Sequence, residues 1–172
     1  MRFTPGPGVG GHCLPIDPSY LSWRVRRALG QPFRFVELAN DINDHMPDYV
    51  VRRLTEALNR ERRAVNGSRV LLLGLAYKRN TGDDRESPAV VVAERLLALG
   101  AEVRVADPHV SHDHVHGRVE RAQVTVEEVS AADAVILLTD HDDFDLDLVR
   151  THARYVLDTR HRITPGDRVE FL

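Results

Sequence analysis

The chain has 172 residues, 42% hydrophobic and 28% charged, with a formal net charge of -3 at pH 7. That length suits one compact domain with an appendage, and the slight acidity argues against general nucleic-acid binding. No apolar run approaches the ~18 residues of a membrane helix, and the start MRFTPGPG lacks the apolar stretch of a signal peptide, so a cytoplasmic chain is expected. The single cysteine excludes an internal disulfide and leaves an inert small hydrophobe or a reactive thiol.

The first feature along the chain is the loop GPGVGGHCLPIDP, Gly6 to Pro18, with a helix expected from about Ser19. Leu21 to Gly30 has helical character closed by a glycine, and Phe33 to about Met46 carries Phe35, Leu38, Ala39 and Ile42 at helical spacing. Pro47 predicts a break or the first turn of a new helix. From Asp48 the apolar residues Val50, Val51, Leu54, Ala57 and Leu58 define a face running to about Arg63. The opposite arginines, beside Glu56 and Glu61, read as a solvated or interface face.

Asn66-Gly67 is a turn signal, and a domain boundary is placed near residue 66, dividing the chain into 1–66 and 67–172. Beyond it, Val70 to Leu75, Glu102 to Asp107, Ala134 to Asp140 and Tyr155 to Asp158 are short apolar runs separated by helical segments. Strands apolar on both faces and joined through helices predict an α/β fold, a parallel sheet with helices on both faces. The first of these helices starts with Ser87 as N-cap and Pro88 behind it and ends at Gly100, and shorter ones cover Val126 to Ala131 and Asp145 to His152.

Two stretches carry chemistry. In the first, glycines permit close approach of a ligand to the backbone, and Cys13 stands four residues before Asp17. A nucleophilic thiolate is one reading, and a buried structural Cys in a tight turn is the other. The second, GLAYKRNTGDDRESPA, follows the first strand at the end where parallel sheets bind ligands, and offers Lys78, Arg79 and Arg85 to an anion. With only Gly74 at that turn, the dinucleotide fingerprint is absent.

Other features point elsewhere. The four histidines of HVSHDHVHG match no zinc spacing and read as a solvated loop, so no metal is expected. Asp107, ending the second strand, stands where dinucleotide folds keep a ribose-binding acid, although the single glycine speaks against that role. The acidic run Asp140 to Asp147 reads as a helix start around Asp145.

Taken together, GPGVGGHCLPIDPSYLSW, ELANDINDHMPDYVV, LLLGLAYKRNTGDDRESPA, VADP, LLTDHDDF and VLDTR resemble, in order, the NAD-dependent nucleotide-sugar 6-dehydrogenases of the UDP-glucose/GDP-mannose dehydrogenase family. The resemblance implies a Rossmann-like UDP-binding domain preceded by a helical segment with the catalytic Cys loop. It implies oxidation of a UDP-sugar C6 alcohol to the carboxylate with two NAD⁺, through a thiohemiacetal and a thioester on Cys13. Asp17 matches the acid that assists proton transfer and water, and the loop with Gly8, Gly10 and Gly11 matches the part that cradles the sugar. Tyr77 and Lys78 match an aromatic-Lys pair at the nucleotide-sugar site, Arg160 matches a C-terminal Arg at the substrate, and Arg85 matches an Arg that reaches toward NAD. The residues flanking Cys13 look more like the UDP-N-acetylhexosamine branch than the UDP-glucose branch.

The family's N-terminal NAD domain and the central segment with its catalytic Lys and Asn have no counterpart here, so the sequence looks like a C-terminal portion, expected to be inactive alone. A second copy or a separate N-terminal half is the expected protein partner. The competing reading is a non-catalytic nucleotide-sugar-binding module, and a weaker one is an unrelated thiol enzyme.

Overall fold

A computed structural model describes residues 6–111, 115 and 119–172. In sequence the elements are α1 (Asp17–Leu29), α2 (Arg34–Arg60), β1 (Arg69–Leu73), α3 (Pro88–Ala98), β2 (Glu102–Ala106), β3 (Glu120–Arg121), α4 (Val126–Ala131), β4 (Ala134–Leu137), α5 (Leu146–His152), β5 (Val156–Asp158) and β6 (Val169–Phe171). The six strands form one sheet in the order β3-β2-β1-β4-β5-β6, every neighbouring pair parallel. This is the doubly wound, Rossmann-like arrangement that the alternation of apolar runs and helices predicts.

The two faces of the sheet follow from the period-two geometry of a strand. Val70 and Leu72 of β1 join Val103, Val105, Ala134 and Ile136 under α2 and α3, where Leu54, Val92 and Leu96 complete the layer. Leu71 and Leu73 point the other way, against Val135, Leu137 and Val156, and are covered by Val129 of α4 and Val149 of α5. Burying each such side chain stabilises the fold by roughly 1.5–3 kcal/mol.

Pro47 does not break the chain: α2 runs through it as one 27-residue helix. An interior proline costs about 3 kcal/mol, but Val50, Leu54 and Leu58 behind it are almost completely buried, and that packing outweighs the lost hydrogen bond. The same helix ends at Arg60 rather than Arg63, and α1 starts at Asp17, earlier than the residues around Ser19 suggest. The arginine face is an interface within the chain: Arg60 pairs with Glu170, Arg63 with Asp133, and Arg53 donates to the Phe171 carbonyl at 3.0 Å.

The apolar runs overshoot the strands because the chain turns out of the sheet while still buried. The amides of Leu138 and Thr139 both donate to the Leu73 carbonyl, and those of Leu75 and Ala76 turn toward Asp107. Likewise α3 stops at Ala98, and Gly100 takes a φ of 83° in the turn that follows. The strands β3 and β6 escape the sequence pattern: β3 is the charged pair Glu120–Arg121, and β6 is three residues long. Among the described residues no helix is long and apolar enough to cross a membrane.

Candidate functional site

The chain leaves the central strand β1 on one side for β2 and on the other for β4, so the crevice of this sheet opens at their C-terminal ends. Gly74 lies there with a φ of 86°, and a Cβ on it would stand 2.5 Å from the Thr139 carbonyl oxygen, so the exits of β1 and β4 are pressed together. Thr139 seals the junction by donating its hydroxyl to the Ala76 carbonyl at 2.6 Å.

Two buried carboxylates organise the loops of this rim. Asp107, at the end of β2, accepts from the amides of Leu75 (2.6 Å), Ala76 (3.0 Å), His109 (2.8 Å) and Val110 (2.9 Å), and faces His141 Nε2 at 3.1 Å. Burial pushes the Asp107 carboxyl up, but the hydrogen bonds from His141 and these amides prevail and hold it well below the usual carboxylate range. Its oxygens are thus committed to the protein's own backbone, which rules out the ribose-binding role weighed for it. Asp158, at the end of β5, does the same for the last loop, accepting from the amides of Arg160 (2.8 Å), Arg162 (2.7 Å) and Ile163 (2.7 Å). That loop presents Arg160, whose Nε donates to the Leu138 carbonyl at 2.6 Å. Burial lowers the Arg160 pKa from its usual value, and the carboxylates of Asp140 and Asp158 oppose that shift.

The glycine loop lies across this rim. A Cβ on Gly10 would come within 3.0 Å of the Glu86 carbonyl oxygen, Pro88 Cδ and Tyr77 Cβ, so only glycine fits there. Gly8 abuts Pro88, Gly11 abuts the Tyr77 ring, and Gly6 stands against the Arg160 guanidinium. One side of the loop therefore meets protein. From α2, Asn43 pins it: Val9 donates to Asn43 Oδ1 at 2.7 Å, and Asn43 Nδ2 donates to the Val9 carbonyl at 3.0 Å. Cys13 follows, exposed, and its carbonyl accepts from the Asp17 amide at 2.9 Å where α1 begins.

Of the cations expected at the crevice, two are already engaged. Arg79 pairs with Asp142, and Arg85 forks onto Asp83 at 2.9 and 2.8 Å. The Arg85 guanidinium holds the partly exposed Asp83 carboxyl well below the usual carboxylate range, and His12 Nε2 lies 3.7 Å from the same carboxylate. Lys78 is exposed and has no carboxylate within ion-pair distance among the described residues.

The structure thus brings together the glycine loop, Tyr77 and Arg160, with Lys78 next to Tyr77 and Cys13 and Asp17 at the exit of the loop; Arg85 turns to Asp83. Sequence reasoning missed Asn43 and His141, whose partners lie far away in the chain. Of the histidine run, His109 is held to the rim, its Nε2 2.9 Å from Asp143 and its ring centroid 4.7 Å from that of His141; His112, His114 and His116 lie outside the described residues. In the acidic run Asp145 caps α5, accepting from the Leu148 amide at 2.9 Å.

The UDP binding domain of the UDP-glucose/GDP-mannose dehydrogenase family matches residues 71–165, and the central domain of the same family matches residues 1–45. A UDP-N-acetyl-D-mannosamine dehydrogenase from Methanococcus maripaludis is 37% identical over 142 residues, 82% of this chain and 30% of that protein. An NDP-N-acetyl-D-galactosaminuronic acid dehydrogenase from Ralstonia nicotianae is 36% identical over 161 residues, 91% of this chain and 36% of that one. The crystal structure of an NDP-N-acetyl-D-galactosaminuronic acid dehydrogenase from Methanosarcina mazei superposes with a TM-score of 0.83 at 28% identity, covering 100% of this chain and 39% of that one. The chain spans about a third of the length of the curated relatives it matches. With both domain matches in order along the sequence and a six-stranded parallel sheet beneath them, the chain belongs to the UDP-glucose/GDP-mannose dehydrogenase family.

Proposed function

We propose that this chain is the UDP-sugar-holding and thiol-bearing part of an NAD-dependent nucleotide-sugar 6-dehydrogenase, with the Cys loop and helices in residues 1–66 and the UDP-binding domain in 67–172. The observation that carries this reading is the docking of the glycine loop, and with it Cys13, onto the Tyr77 and Arg160 rim at the C-terminal ends of the strands. In this reading Lys78 and Arg160 meet the anionic substrate and Tyr77 packs on it. The names of the relatives favour a UDP-N-acetylhexosamine as the sugar.

The chemistry assigned to the chain's own residues is capture of a C6 aldehyde. The Cys13 sulfur bonds to the aldehyde carbon, the carbonyl π pair moves to oxygen, and that oxygen gains the proton that leaves the thiol, giving a thiohemiacetal. Asp17, one turn away, is the group assigned to proton transfer. The described residues do not fit NAD: the β1 turn has a single glycine that abuts Thr139, Asp107 is saturated by backbone amides, and Arg85 is paired with Asp83. Both oxidations therefore require residues beyond these, supplied by a second chain or a further segment, and the chain alone should not reduce NAD.

Calorimetric titration with UDP, UDP-N-acetylglucosamine, UDP-glucose and NAD⁺ tests this reading, repeated on Lys78→Ala. UDP compounds should bind the chain and lose about tenfold or more in affinity in the variant, as loss of a charged hydrogen bond implies, while NAD⁺ should not bind. Alkylation of Cys13 near neutral pH should be rapid and slowed by the UDP-sugar. Binding with an inert thiol would instead favour a non-catalytic binding module, and no binding by any UDP compound defeats the reading.

A further inference from the structure

The stretch Asp140 to Phe144 contains a histidine that the proposed chemistry does not use. The side chain of His141 is fully buried, as is that of Asp107 beside it. Burying an imidazole costs free energy unless both nitrogens find partners, and here both do. Nε2 lies 3.1 Å from Asp107 Oδ2, and Nδ1 receives the Asn80 backbone N–H at 2.9 Å. A backbone amide has only a proton to offer, so Nδ1 is an acceptor and the ring proton sits on Nε2, donated to Asp107. The imidazole is therefore neutral and of one tautomer.

One end of this bridge is rigid, because four backbone amides fix Asp107. The other end is the β1–α3 loop just past Lys78. Asn80 has a φ of 55°, a left-handed conformation unusual for a side-chain-bearing residue, and the loop holds it there from several sides. Its Nδ2 donates to Asp142 Oδ2 at 2.6 Å, its Oδ1 accepts from the Asp142 amide at 3.0 Å, and Arg79 pairs with the same carboxylate. On the other side of Lys78, the Tyr77 amide donates to the Asp83 carbonyl at 3.0 Å, and the Thr81 hydroxyl donates to the Lys78 carbonyl at 2.8 Å. The rings of His109 and Phe144 close over His141, with centroids at 4.7 and 5.4 Å.

We infer that His141 is a positioning residue for the substrate segment Tyr77–Lys78: a buried neutral imidazole that carries the fixed position of Asp107 to the backbone of Asn80 and so sets where the Lys78 ammonium stands. The inference rests on the reading of Lys78 as the anion partner of a UDP-sugar. It distinguishes His141 from a residue that merely fills space, because its Nδ1 acceptor bonds the Asn80 amide of the loop.

Two variants separate the arms. His141→Asn keeps an acceptor near the place of Nδ1 and loses the donor to Asp107; His141→Gln keeps a donor near the place of Nε2 and loses the acceptor for Asn80. Amide hydrogen exchange of this chain should show the Asn80 amide about tenfold less protected in His141→Gln than in His141→Asn, with β1 and β4 unchanged, as expected for one part-buried amide left unpaired. UDP should bind His141→Gln about tenfold more weakly than His141→Asn at matched thermal stability. Equal Asn80 protection in the two variants overturns the inference, and so does equal UDP affinity where the unmutated chain binds UDP. If the unmutated chain does not bind UDP, the substrate reading fails and the exchange comparison alone decides the positioning role. Ring ¹⁵N shifts of His141 in the unmutated chain need no substitution: an Nε2–H tautomer is expected, and an Nδ1–H tautomer or an imidazolium at neutral pH overturns the inference.

Discussion

The rim of the sheet and the arm that carries Cys13 are built in opposite ways. At the rim, each of two buried carboxylates gathers several backbone amides, so the loops with Tyr77, Lys78 and Arg160 are fixed by hydrogen bonds within the sheet domain. Among the described residues the arm has no such organiser: Asn43 clamps it at Val9, and Trp23 and Phe35 on the helices around it are 55% and 76% exposed. The rim is therefore preorganised, while the Cys13 thiol takes its position from contacts made against it. Loosening the rim should displace the arm, whereas loosening the arm should leave the rim in place.

Substitutions in α2 test this contrast most strongly, because the helix serves both regions. Leu54 is fully buried against the sheet and Leu38 is 57% exposed. Leu54→Ala should destabilise the chain by about 2–5 kcal/mol in urea unfolding, and Leu38→Ala by less than about 0.5 kcal/mol. Equal losses would mean that the arm is held by packing as firm as that of the sheet.

The acid response of the rim comes next. The folded pKa of Asp107 is depressed, so its stabilisation is present above the unfolded carboxylate value of about 3.9 and is lost as pH falls below it toward the folded value. Asp107→Asn should cost about 1–3 kcal/mol at pH 7 and flatten the decline in stability between about pH 4 and pH 2 relative to the unmutated chain. An unchanged acid profile would show that the carboxylate does not organise the rim.

Effects of the same size or smaller are expected in the glycines. Gly10→Ala would drive a Cβ into the Glu86 carbonyl, Pro88 and Tyr77, costing about 1–3 kcal/mol as overpacking and speeding proteolysis of residues 6–13. At Gly166 no heavy atom lies within 4 Å of where a Cβ would stand, and the backbone is not left-handed, so Gly166→Ala should stabilise by about 0.4–1 kcal/mol. A tolerated Gly10→Ala would contradict an arm docked on the rim.

Much of this molecule was legible in its residues. The runs at β1, β2, β4 and β5 stand out because both faces are apolar, and Ser87 and Asp145 announce the helices they cap. Pro47 misleads because local propensity yields to the burial of Val50, Leu54 and Leu58, which no local pattern weighs. The strand β3 is two charged residues whose only claim to the sheet is the neighbouring β2. At the site, the thiol and the cations were visible in the residues and the resemblance supplied their roles, whereas the supports Asn43 and His141 were invisible. Asn43 and Val9 are 34 residues apart, as are His141 and Asp107, and one sequence gives no sign of which polar side chain will meet which backbone.

The position of β1 also has a bearing on how the chain assembles as it is made. It is the first of the six strands to be synthesised yet an inner one, with Val70 opposite Ala134 and Val103 on its two sides. At translation rates of about 5–20 residues per second, its β4 edge waits on the order of seconds for a partner. During that interval Val-Leu-Leu-Leu is an open, uncharged edge. The segment between β1 and β4, with its charged helices and loops, is thus also the delay during which a nascent chain is most prone to pair with its neighbours on the ribosome.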